Sequence, residues 1–123
     1  MSGGALDYVF GRIETAAEDV EQYIARIERG EEDEYFKPHE YYMKHNPDRK
    51  EFADGKRLKE AVLSRLRDAA KALRVAAVYA VRVEWLMSAD DGWESFIMRT
   101  DEELEQLGGP QELKQEREES NED

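Results

Sequence analysis

Apolar side chains recur at helical intervals along three stretches of this chain. In the first, Leu6, Phe10, Ile13, Ala17, Val20, Ile24 and Ile27 alternate steps of four and three residues, which places them on one helical stripe. Gly30 follows as a stop, and Arg26 and Arg29 fall in the last turn, where positive charge complements the helix dipole. A helix over 5–29 is expected.

The second stretch is longer. Leu58, Val62, Leu66, Ala69, Leu73, Ala76, Ala80, Val83 and Met87 keep the same spacing with no Gly or Pro between Lys56 and Ala89. This predicts a helix over 56–88, roughly 50 Å long at 1.5 Å per residue. From Leu73 to Met87 its only charged residues are Arg74, Arg82 and Glu84. A helix apolar nearly all round must be covered on all sides, so a third helix and a second subunit are expected around it. The residues expected at that oligomer interface are Val75, Val78, Tyr79, Arg82, Trp85 and Leu86.

In the third stretch, Asp90-Asp91-Gly92 reads as a turn whose acids start a helix, followed by Trp93, Phe96, Ile97, Thr100, Leu104 and Leu107. Gly108-Gly109-Pro110 stops it, giving a helix over 91–107. Thr100 with Glu103 matches a capping box and marks a candidate break near residue 100. The long connection from Glu31 to Gly55 predicts two short helical turns, one from Pro38 and one from Pro47 with Asn46 as its cap. The expected fold is therefore all-α. It is a small antiparallel bundle of three main helices in one domain over 1–109, with an acidic disordered tail over 110–123.

Composition narrows this picture. Of 123 residues, 40% are hydrophobic and 39% charged, and mean hydropathy is −0.88, so any core is thin and the surface heavily charged. With no run of 18 apolar residues and no basic-then-apolar leader at Met1-Ser2-Gly3-Gly4, a cytoplasmic protein without membrane contact is expected. The absence of cysteine excludes disulfides, thiolate metal sites and a cysteine nucleophile.

The net charge of −12 is unevenly sorted. Residues 1–34 carry ten acids against three bases, residues 101–123 ten against two, and residues 56–82 eight bases against two acids. On the second helix Lys56, Lys59, Arg67, Lys71 and Arg74 fall in one arc opposite the apolar seam. On the first, Glu14, Glu21 and Glu28 recur every seven residues with Glu18 between them, flanking the seam where coiled coils place partner-selecting charges. Internal pairing of the acids with the bases is the simpler expectation. The alternative leaves the bases free for an anion.

No reaction is legible. Neither His39 nor His45 has a Glu three residues before it, His-Glu-x-x-His is absent because Met43 stands at the second position, and no phosphate-binding Gly-rich loop occurs. Ser64 and Ser95 have no neighbouring His in the sequence. A non-enzyme without metal or cofactor is expected.

Two binding chemistries remain. The segment from Tyr35 to Phe52 concentrates Tyr35, Phe36, Lys37, His39, Tyr41, Tyr42 and Lys44, and together with Lys56, Lys59, Arg67 and Lys71 it suits a small anionic nucleotide, rings stacking on the base and cations meeting phosphate. The alternative is that these rings supply core to a narrow bundle. The acids Glu14, Glu18, Glu21, Glu28, Glu31, Glu32, Asp33 and Glu34 suit a basic protein partner, while the acidic balance disfavours direct nucleic-acid binding. The sequence thus predicts an oligomeric accessory or inhibitor protein that blocks or sequesters a macromolecular partner. Its general character resembles accessory proteins of phages and mobile elements, a likeness of type that transfers no site. A nucleotide sponge and a purely structural oligomer are the other readings.

Overall fold

The computed structural model describes residues 4–108. Within them the chain is all-helical: α1 (Val9–Glu28), α2 (Glu40–His45), α3 (Gly55–Met87) and α4 (Trp93–Gln106), with 3₁₀ turns at Asp33–Tyr35 and Lys50–Ala53. No strand occurs among the described residues, and none of their helices is long and apolar enough to cross a membrane. The tail expected over 110–123 lies outside them.

Backbone contacts divide the chain into two compact units, Glu18–Ala70 and the remainder, the latter joining residues up to Ala17 with those from Lys71 onward. In the first, the C-terminal part of α1 meets the N-terminal part of α3 through Ile24, Ile27, Leu63 and Ala70, with Val20, Phe36, Val62 and Leu66 packed against them. Ile27 is completely buried. At about 25 cal/mol per Å² of apolar surface removed from water, such side chains supply most of the stabilisation of so thin a core.

The helix ends follow local chemistry. α1 stops in a Schellman motif: Glu31 N–H donates to Arg26 O and Gly30 N–H to Ile27 O, with Gly30 at a φ of +85° that glycine takes without strain. α3 ends in the same motif, Asp90 N–H to Trp85 O and Ala89 N–H to Leu86 O, but the left-handed position is held by Ala89 at φ +62°. A Cβ there makes this end the more strained of the two. α3 begins where Asp54 accepts the Lys56 N–H on its side chain at 3.0 Å.

Several sequence expectations need correction. α1 starts at Val9 rather than near residue 5, because the preceding backbone is drawn around a side chain described below. Apart from Arg82, the buried residues of α3 are Leu63, Ala70, Ala77 and Glu84, a strict seven-residue repeat, whereas Ala69 and Met87 of the expected seam are exposed. The true stripe is rotated by about one residue, or 100°. α4 does not break at Thr100, which is buried within the helix, and its N-cap is Gly92 rather than an aspartate. Asn46 both ends α2, its side-chain N–H donating to Tyr42 O at 3.0 Å, and opens the expected turn at Pro47, its carbonyl accepting the Arg49 N–H at 3.0 Å, but its side chain caps α2 and not that turn.

Candidate functional site

The unit made of the N-terminal residues and those from Lys71 onward buries charge. Glu84 takes the fourth place in the Leu63, Ala70, Ala77 repeat and is 0% exposed. Its Oε2 accepts N–H bonds from Gly4 and Tyr8 at 2.8 Å and from Leu6 at 3.3 Å, and one turn later Ser88 Oγ accepts from Ala5 at 3.3 Å. Asp7 and Tyr8 adopt positive φ to point these N–H groups inward. The result is a backbone nest around a carboxylate. α1 has no acid in its own first turn, so Glu84 supplies from α3 the negative charge that the start of α1 lacks.

A second buried group lies at the α3–α4 turn. Arg82, 7% exposed, has its Nε 3.3 Å from Glu103 Oε1 and its Nη1 3.9 Å from the buried Asp91, which Arg99 also approaches at 3.9 Å. The Arg82 guanidinium lies 5.0 Å from the Trp85 ring centroid. Arg82 Nε, Glu84 Oε1, Asp91 Oδ2 and Thr100 Oγ1 are buried without a hydrogen-bond partner, so attraction there comes from charge proximity more than from directed bonds.

The same unit exposes large apolar side chains. Trp93 is 73% exposed, Met98 69% and Ile97 56%, all on α4, and Met87 at the end of α3 is exposed too. At 100° per residue, Ile97, Asp101, Glu94, Glu105 and Met98 share an arc of about 100° on α4, while Thr100 lies buried on another side. α4 thus presents Ile97 and Met98 within a row of carboxylates.

The other unit treats charge differently. Arg67 meets Glu28 at 2.8 Å, Lys59 meets Asp33 at 2.7 Å, Arg26 meets Glu32 at 3.8 Å and Arg29 meets Glu31. Four of the acids expected to face a partner are therefore engaged in ion pairs, as are two of the bases expected to hold a ligand. Glu21 and Lys71 are also engaged, whereas Glu14, Glu18 and Glu34 are exposed. Lys59 is half-buried, not opposite the seam.

Between Phe36 and Gly55 the chain makes a closed excursion. A Cβ on Gly55 would collide with the Phe36 carbonyl oxygen, so the ends of the segment touch and only glycine fits. Inside it α2 meets the Lys50–Ala53 turn, and rings form a chain: His39 to Tyr42 at 5.2 Å between centroids, Tyr42 to Tyr41 at 5.2 Å, Tyr42 to Phe52 at 6.2 Å, and Tyr41 stacked on His45 at 4.2 Å. Of the expected ligand residues, Phe36 instead packs against the apolar core, His39 and Tyr42 line a cavity of about 230 Å³ with Phe52 and Leu58, and Tyr35, Lys37, Tyr41, Lys44 and Lys56 are exposed. The rings other than Phe36 do not supply core, since no residue of α2 or of either 3₁₀ turn is buried. Of the expected interface residues, Val75, Val78 and Leu86 are half-buried, Tyr79 and Trp85 exposed and Arg82 buried.

No cluster of three or more His, Asp or Glu suited to a metal ion occurs among the described residues. Compared with protein-family models, characterised proteins and solved structures, the chain matches none.

Proposed function

We propose that this protein is a non-enzymatic binding protein whose α4 face docks a basic amphipathic helix of a partner protein. The observation that carries this reading is the placement of Ile97, Met98 and Trp93 in solvent beside Glu94, Asp101 and Glu102. Exposed apolar groups rimmed by one sign of charge suit a ligand with apolar residues on one face and Lys or Arg at its edges. Methionine adapts to irregular partner surfaces, and the acids raise the association rate of a cationic segment. The acids of α1 and of the following loop, the first candidates by sequence, contribute less because Glu28, Glu31, Glu32 and Asp33 already hold bases.

The test is a titration with a synthetic helical peptide of Leu and Lys, followed by backbone amide shifts. The reading expects saturable binding that perturbs residues 93–106, weakens with added salt, and disappears for a Leu/Glu peptide of the same length. Perturbation centred on Glu14 and Glu18 of α1, or binding indifferent to ionic strength, would overturn it.

A further inference from the structure

We infer that the excursion from Phe36 to Gly55 is a binding site for a mononucleotide, a site independent of the α4 face. Two cavities flank the contact between α2 and the Lys50–Ala53 turn. One, about 230 Å³, is lined by His39, Tyr42, Phe52 and Leu58, and its walls are almost wholly apolar. The other, about 430 Å³, is lined by Arg49, Lys50 and Arg57 with Asp54, Asn46, Met43, Pro47 and Ala53. They are joined at Arg49, which lines the basic cavity while its guanidinium lies 5.4 Å from the centroid of Phe52, a wall of the apolar one.

This division matches the two halves of a nucleotide. Aromatic faces at differing tilts accept a planar base, and every base offers a π-face to stack. Three cations on the basic side accept a phosphate, Arg49 and Arg57 as forks and Lys50 as a point charge. The apolar cavity at about 230 Å³ is smaller than the range of about 300–1,000 Å³ usual for a small-molecule site, and only a ligand that spans it and the cavity of about 430 Å³ reaches that range. The carboxylates present do not close the site. Arg57 stands 3.7 Å from Asp54 and Arg49 3.9 Å from Glu51, loose exposed pairs of the kind worth about 0–1 kcal/mol at most, and Asp54 also caps α3.

A cluster of rings that buries nothing is poor value as structure. Tyr41 and Tyr42 remain more than half exposed, yet the neck at Gly55 tolerates no side chain, so the segment is held in a defined shape although, beyond Phe36, it adds no buried residue to the core. Preorganisation of that kind lowers the cost of binding. Lys59 and Arg67, which the sequence alone offers as phosphate ligands, are replaced in this role by Arg49, Lys50 and Arg57.

The full chain is titrated with AMP, adenosine and ribose 5-phosphate, with amide shifts as the readout. The inference expects saturable AMP binding with a Kd below about 1 mM, shifts at Tyr42, Phe52 and Lys50, and at least about tenfold weaker binding of each half-ligand. Phe52→Ala should weaken AMP by about tenfold or more, and the exposed Lys50→Glu, which leaves packing untouched, by a similar factor that shrinks as salt rises. Absence of saturable AMP shifts would overturn the inference. So would adenosine binding as tightly as AMP, insensitivity to Lys50→Glu, or a short oligothymidylate binding more tightly than AMP, which would make the surface a reader of single strands.

Discussion

The two units of this chain handle polarity in opposite ways. Glu18–Ala70 buries Ile24, Ile27, Leu63 and Ala70 and pairs its charges in solvent, Arg67 with Glu28 and Lys59 with Asp33. The unit made of residues before Glu18 and after Ala70 buries Arg82 and Glu84 and leaves Met87, Trp93, Ile97 and Met98 exposed. Burial of apolar groups is favourable wherever it occurs, whereas a buried charge is tolerable only with its specific partners in place. The first unit is thus organised for stability. The second buries charge and leaves aliphatic and indole side chains in solvent, whereas the large side chains that the first exposes are mainly tyrosines.

That contrast can be broken most sharply at Arg82. Arg82→Met should cost about 3–5 kcal/mol in urea unfolding, because Glu103 loses the cation at 3.3 Å and the buried Asp91 side chain keeps only the exposed Arg99 at 3.9 Å. Replacing all three with apolar residues should recover most of the loss. Ile27→Ala should cost a comparable 2–5 kcal/mol, about what a cavity in a core requires, and no second polar-to-apolar change should restore it. If the triple replacement stays as unstable as the single one, the charge network is not what holds the α3–α4 turn.

Glu84→Leu should have a smaller and more local effect, about 1–3 kcal/mol, since the N–H groups of Gly4, Leu6 and Tyr8 lose their acceptor but lie in a backbone segment that is only partly buried. Hydrogen exchange should accelerate at those amides and stay unchanged at Ile24 and Leu63. Lys59→Ala should do least, below about 1 kcal/mol and vanishing in high salt, because its pair with Asp33 sits at the surface.

Much of the helical architecture was legible in the sequence. The apolar spacing located α1, α3 and α4 to within a few residues, and Gly30 marked a real helix end. What periodicity could not supply was the angular phase of α3. Small alanines fill both the assumed seam (Ala69, Ala76) and the buried one (Ala70, Ala77), so the pattern is nearly degenerate under a shift of one residue. The signal that fixes it is the repeat Leu63, Ala70, Ala77, Glu84, whose last member is charged and so does not register in an apolar pattern. The start of α1 was misplaced for the same reason, since its cap comes from that glutamate, 76 positions away from Tyr8. Local spacing cannot report such a partner.

The candidate surfaces were legible in part. The aromatic and basic content of residues 35–52 was visible, but which cations face the rings depends on the Phe36–Gly55 neck and on the α2 contact with the turn after it. On α4, Ile97 and Thr100 both fit the apolar spacing, and only the fold puts Thr100 inside and Ile97 outside.

The claim that the α4 face is free for a partner is tested most directly by urea unfolding of the double variant Ile97→Lys, Met98→Lys, measured at two protein concentrations. Side chains that already stand in solvent contribute little to folding, so stability within about 0.5 kcal/mol of wild type at both concentrations is predicted. A loss above about 2 kcal/mol, or a wild-type midpoint that rises with concentration while that of the variant does not, would mean that the face is already covered by the protein itself and would contradict the account.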